Sequence, residues 1–222
     1  MKYKIGASVL SAKFSHLADE IERAEKSGVD FIHFDIIDTS FANFISFGSL
    51  VIHSLRDLTN LPFDVHCYVV DPLKCIDRII EAGADSITIH LEMAHNPTDI
   101  IDYIKQSKVK AGIALLPNTP SKSLENVIEK LDIVTVVGID LFELGKWRFI
   151  PSQLGKIREI RRLISKLGLQ TDLQVDGGVT LNNAEEIIRA GANVLVAGSA
   201  LFKRADITRT VVSFREIMKK CA

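Results

Sequence analysis

Cysteine is scarce. Cys67, Cys75 and Cys221 are an odd number with no CxxC spacing, which argues against a disulfide framework or a zinc ribbon and fits a reduced, cytoplasmic setting. Charge of one sign is missing too: 27 Lys and Arg stand against 28 Asp and Glu, for a net charge of −1. Without a basic block, neither nucleic acid nor an anionic membrane is the expected partner. No apolar run approaches the roughly 18 residues needed to cross a bilayer. The opening Met1-Lys2-Tyr3-Lys4-Ile5 lacks the pattern of a secretory signal. Low-complexity linkers are absent, and aromatics make up only 7%. What remains, 47% hydrophobic and 25% charged residues over 222 positions, is ordinary for a soluble domain with a full core.

Short apolar, β-branched runs alternate with longer amphipathic ones from end to end. Strands are expected at about 4–10, 30–36, 62–68, 86–90, 110–115, 133–139, 171–175 and 193–197. Most read as near-continuous apolar runs, as strands buried on both faces do. Between them lie helical stripes, such as Leu17, Ile21 and Ala24, or Ile157, Ile160 and Ile164. Gly28, Gly83 and Gly191 each stand where a helix should close before a strand. Pro72, Pro97, Pro120 and Pro151 stand where helices should start. Eight such units across residues 1–222 predict a single (β/α)8 TIM barrel, with a doubly wound open sheet as the alternative. No GxGxxG follows the first strand, which weighs against a dinucleotide site.

A barrel concentrates chemistry at the C-terminal ends of its strands. The second strand ends in His33-Phe34-Asp35, whose His and Asp share a face because strand side chains alternate. The third carries Asp64-Val65-His66, and the seventh ends in Asp176-Gly177-Gly178. Two imidazoles with two or three carboxylates form a mixed N/O set that suits Zn²⁺, Fe²⁺ or Mn²⁺, with zinc slightly favoured. Gly177 and Gly178 after the seventh strand, with Gly198 and Ser199 after the eighth, allow backbone N–H groups to approach a phosphate, and a following helix N-terminus favours an anion. His90 points to the rim with no evident partner beyond Glu92. His16, His53 and His95 read as surface or packing residues, Cys67 points away from His66, and Cys75 and Cys221 read as packing residues. No GxSxG is present.

These motifs resemble the ribulose-phosphate 3-epimerase family over essentially the whole chain. The resemblance is carried by Ala7-Ser8-Val9-Leu10-Ser11-Ala12, by His33-Phe34-Asp35-Ile36-Ile37-Asp38 and by Asp64-Val65-His66. Pro117-Asn118-Thr119-Pro120, Phe149-Ile150-Pro151, Val175-Asp176-Gly177-Gly178-Val179 and Val196-Ala197-Gly198-Ser199-Ala200 follow in the same order. It implies a divalent metal on His33, Asp35, His66 and Asp176, with Asp35 and Asp176 also acting as the acid/base pair. It further implies that Ser8 and His66 bind substrate, that the two glycine pairs bind its phosphate, and that this substrate is a sugar phosphate such as D-ribulose 5-phosphate. A homo-oligomer is expected.

Several positions depart from the family pattern. Thr39 replaces a glycine, Phe41-Ala42-Asn43-Phe44 replaces a Pro-Asn segment, and Ile37, Tyr68 and Val137 stand where methionines are expected. The sixth loop, Ile139 to Trp147, keeps one glycine, and Tyr68, Lys146 and Trp147 within or beside it are candidates to reshape the pocket. Two rival functions remain: a decarboxylase of the orotidine-phosphate type, for which Asp71-Pro72-Leu73-Lys74-Cys75-Ile76-Asp77 has the wrong spacing, and a non-catalytic sugar-phosphate-binding barrel.

Overall fold

Eight parallel strands close on themselves in sequence order: β1 Lys4–Ser8, β2 Phe31–Ile37, β3 Phe63–Tyr68, β4 Ser86–His90, β5 Lys110–Leu115, β6 Ile133–Val137, β7 Asp172–Asp176 and β8 Val194–Ala197, with β8 paired back onto β1. The computed structural model describes residues 2–142 and 147–221. Around the strands run α1 Leu17–Lys26, α2 Ser49–Leu55, α3 Ile76–Glu81, α4 Pro97–Gln106, α5 Gln153–Lys166, α6 Ala184–Ala190, α7 Ser199–Phe202 and α8 Ile207–Cys221. The closed order settles the architecture as a (β/α)8 barrel over the open sheet.

The punctuation falls where the sequence puts it. Gly28, Gly83 and Gly191 take φ of 85°, 91° and 120° at the ends of α1, α3 and α6, a region that glycine enters without a Cβ clash. Pro97 opens α4. Three expectations shift. β1 stops at Ser8 because Val9–Ser11 turns into a 3-10 helix closed by Ala12 N–H on Val9 O. β6 stops at Val137, and Gly138 follows where a Cβ would lie 2.4 Å from the Gly177 carbonyl. Between β5 and β6 the chain forms two 3-10 turns, Ser121–Leu124 and Ile128–Lys130, in place of an α-helix. Their apolar stripe of Leu124, Val127, Ile128 and Leu131 is nevertheless buried.

The strands are buried on both faces, as predicted, but only one face is uniformly apolar. Phe34, Val65, Ile87, Ile113, Val134, Val175 and Leu195 point outward into the continuous core beneath the helices. Phe34 is fully buried and meets Phe63 edge-on at 4.7 Å. The inward face instead carries Ser8, His33, Asp35, Asp64, His66, Ser86, Thr88, His90, Thr135, Gln174 and Asp176, all buried. Bonds across the lumen, from Gln174 Nε2 to Asp64 Oδ2 and between His66 and Asp176, join β7 to β3. Buried polar groups survive when they are paired, and apart from the Thr88 hydroxyl, which has no partner among the described residues, these groups form a hydrogen-bonded column that ends at the site.

Candidate active site

Strand register builds the centre. Asp35 on β2 pairs with His66 on β3, and His33 pairs one step lower with Asp64. Asp176 ends β7 on the opposite wall. One ligand atom from each of His33, Asp35, His66 and Asp176 lies within 4.8 Å of every other, and all four residues are buried. His33 Nε2 stands 3.2 Å from Asp35 Oδ1 and 3.6 Å from Asp176 Oδ2. His66 Nδ1 stands 3.1 Å from Asp176 Oδ2 and 3.9 Å from Asp35 Oδ1.

Asp64, the third carboxylate, sits beneath this quartet. Its Oδ2 accepts from His33 Nδ1 at 2.8 Å, and Ser86 and Gln174 donate to it as well. Burial raises the Asp64 carboxyl, yet these bonds, that from His33 foremost, hold it below the usual carboxylate range. With Nδ1–H committed to Asp64, a neutral His33 turns its Nε2 lone pair towards two carboxylates. Burial alone would lower the His33 pKa, but Asp35 and Asp176 drive it well above that of an ordinary imidazole. Asp176 mirrors this. Burial raises it, and the neighbouring His33, with the His66 ring beside it, brings it below the usual carboxylate range. A cluster of carboxylates that draws a proton onto His33 has the ligand set and the charge to hold a divalent cation.

The remaining predicted residues line the adjoining cavity. Ser8, Gly177, Gly178, Gly198 and Ser199 share its wall with Asp35 and Asp176. The Ser8 hydroxyl donates to Asp35 Oδ2 at 2.8 Å. Gly177 and Gly178 take φ of 97° and 71°, and a Cβ on Gly178 would lie 2.3 Å from Phe149 N. Gly198 directly precedes α7, whereas the helix after Gly178 begins only at Ala184.

Two residues named in the sequence only as a pocket-shaping candidate and a rim histidine join the centre directly. Tyr68 donates its phenol to Asp176 Oδ2 at 3.0 Å and lies 4.0 Å from the His66 ring centroid. Burial, with the charges of Asp176 and Asp35, pushes the phenol pKa well up. His90 stacks on His66 at 4.9 Å and reaches Glu92 with its far nitrogen. Burial lowers the His90 pKa to about 4. The signal was His90-x-Glu92, the same two-residue spacing as His33-x-Asp35.

Other candidates lie elsewhere. His16, His53 and His95 are exposed. Cys67 packs in the outer core. Lys74 pairs with Asp71 at the surface, away from the cavity. Phe142 stacks on Phe41, and Trp147 lies against Phe44 and lines the cavity. Lys146 falls outside the described residues.

Comparison with known proteins agrees with this geometry. Residues 4–202 match the model of the ribulose-phosphate 3 epimerase family. The chain is 38% identical over 213 residues to ribulose-phosphate 3-epimerase of Bacillus subtilis (strain 168), covering 96% of this chain and 98% of that one. It is 36% identical over 220 residues to the chloroplastic ribulose-5-phosphate-3-epimerase of Arabidopsis thaliana, covering 98% and 78%. Among solved structures, 3-hexulose-6-phosphate synthase from Salmonella typhimurium superposes with a TM-score of 0.74 at 15% identity, covering 99% of this chain and 100% of that one, a likeness of fold alone. With its motifs, barrel and buried His/Asp quartet in agreement, the chain belongs to the ribulose-phosphate 3-epimerase family, isomerases that act on carbohydrates.

Proposed function

We propose that this protein interconverts D-ribulose 5-phosphate and D-xylulose 5-phosphate, or a close ketose-phosphate pair, through a cis-enediolate. The observation that carries the reading is the pairing of Asp35 on β2 with Asp176 on β7, two buried carboxylates from opposite walls that share one pair of imidazole nitrogens. Inversion of a carbon beside a carbonyl needs a base on one face and an acid on the other. One carboxylate takes the C3 proton, and the other returns a proton to the opposite face. His33, Asp35, His66 and Asp176 would hold a zinc, iron(II) or manganese ion, whose charge stabilises the developing enediolate oxygens.

Ser8 orients Asp35 through its hydroxyl, and Tyr68 does the same for Asp176. The backbone at Gly177, Gly178, Gly198 and Ser199 receives the phosphate, since tight glycine turns and the first N–H groups of a helix lack intrachain partners. The test is solvent deuterium exchange followed by NMR over a panel of ketose phosphates, with the protein loaded in turn with zinc, iron(II) and manganese. Exchange and inversion at C3 of a pentulose phosphate are expected. Loss of carbon dioxide, or no exchange with any ketose phosphate, contradicts the reading.

A further inference from the structure

Behind His66 a second column of polar groups leads away from the cavity. His66 Nε2 lies 3.1 Å from His90 Nε2. His90 Nδ1 lies 3.3 Å from Glu92 Oε2. The other Glu92 oxygen accepts from the Leu116 backbone N–H at 2.9 Å and from the Thr119 hydroxyl. Leu116 and Thr119 flank the Pro117-Asn118 turn, and α5 fastens that turn through Lys156 Nζ on the carbonyls of Leu116 and Pro117 at 2.7 and 2.9 Å. Neither His66, which sits behind Asp35 and Asp176, nor any of the groups beyond it lines the cavity.

The column has a direction. A backbone N–H only donates, so Glu92 accepts at its far end and presents its remaining oxygen to His90 as a second acceptor. His90 must then carry its proton on Nδ1 and meet His66 with a bare Nε2. His66 in turn carries its proton on Nε2, and its Nδ1 lone pair faces Asp176 and Asp35. The reverse arrangement, with Nδ1–H on His66, makes a bond to Asp176 but leaves two acceptors 3.3 Å apart at Glu92. In the Nε2–H arrangement the acceptors that face each other are His66 Nδ1 and Asp176, and there a cation would join them.

We propose that Glu92, acting through His90, is the positioning group that fixes His66 in its Nε2–H tautomer and so makes Nδ1 the atom that ligates the cation. The inference rests on the reading of His66 as a metal ligand and extends it to a chain of residues that ends in the β5–β6 turn. The same logic applies on the other ligand through Asp64 and His33, but there a single carboxylate suffices. On His66 a second imidazole carries the effect out to the surface.

The test measures zinc affinity by chelator competition, alongside ¹⁵N spectra of histidine-labelled, zinc-loaded protein. Glu92→Gln is isosteric but must turn its amide nitrogen either towards Leu116 N–H, which loses that bond and loosens the column, or towards His90, which reverses it. His90→Phe keeps a stacking ring and removes the acceptor, whereas His90→Gln can restore an acceptor. Glu92→Gln and His90→Phe are expected to weaken zinc binding about 10–100-fold, with His90→Gln recovering most of the loss. His66 is expected to show a protonated Nε2 and a ligated Nδ1. Wild-type zinc affinity in both Glu92→Gln and His90→Phe overturns the column alone, as does a ligated His66 Nε2 or a His90→Gln variant as weak as His90→Phe. Failure of the wild-type protein to take up zinc, iron(II) or manganese overturns both the column and the metal reading beneath it.

Discussion

Asp64 Oδ2 lies 2.8 Å from His33 Nδ1, one inward-facing layer below Asp35 and His66. This bond decides which nitrogen of His33 faces Asp35 and Asp176. Replacing Asp64 by Leu removes the acceptor and leaves a buried N–H unpaired, a loss of about 1–3 kcal/mol in stability and about 10–100-fold in metal affinity. Urea unfolding of the metal-free protein and chelator competition read the two effects separately. Unchanged metal affinity would show that Asp64 only fills the barrel.

His66→Ala should lower metal content sharply and leave the barrel folded. The outer core of Phe34, Val65 and their neighbours makes no use of the imidazole, and inward strand-end residues serve the site rather than the helix packing. Metal analysis of protein purified without chelators checks occupancy, and circular dichroism checks the fold. Full occupancy in the variant removes His66 from the ligand set.

The phosphate assignment predicts selectivity. A side chain at Gly198 would meet Ser11 Oγ at 2.7 Å and push into the cavity wall. Gly198→Leu should raise KM for a ketose phosphate by about tenfold or more, since one lost charge-assisted hydrogen bond is worth about 1.5–3 kcal/mol. Binding of the unphosphorylated ketose should change little. Equal losses for both ligands would make the loop structural only.

Acid should destabilise the metal-free protein earlier than its carboxylates alone would. Burial lowers the His90 pKa from 6.5 to about 4, so the unfolded chain binds that proton more tightly. Stability therefore falls as pH drops from about 6.5 towards 4, by on the order of 3 kcal/mol in full. His33 has the opposite sign. Its raised pKa gives a contribution that is complete below about 6.5 and is lost only as pH rises through the higher folded value, so it adds no slope in this window. Urea unfolding at pH 6.5 and 4.5 measures the difference, and His90→Phe should flatten it.

Much of this site was legible because barrel and chemistry share one rule. Alternation along a strand put His33 with Asp35 and left Phe34 to the core, and the structure places them so. Glycine closures at Gly28, Gly83 and Gly191 marked helix ends because each needs positive φ. Less legible was anything set by pairing across the lumen. Asp64 belongs to the same motif as His66 yet lies a layer lower, a consequence of register that spacing along one strand does not reveal. His90 and Tyr68 join the centre because β3 and β4 bring their rings onto His66. The polar lining was hidden for a similar reason: Ser86, Thr88, Thr135 and Gln174 stand singly among apolar residues, and only closure of the barrel brings them together.

The most direct test of the two-carboxylate account compares Asp35→Asn and Asp176→Asn with wild type in D₂O, with metal content measured on each and metal held saturating. Loss of a general acid or base costs typically about 10²–10⁴ in rate. Each variant should fail to invert C3 of D-ribulose 5-phosphate at a comparable cost, while one of them can still exchange the C3 proton from the face its remaining carboxylate serves. Asp38→Asn is the control, because that side chain accepts the backbone N–H groups of Ser40 and Phe41 outside the quartet, and it should be far milder. Near-normal epimerisation of the sugar phosphate by the Asp176→Asn protein would contradict the account.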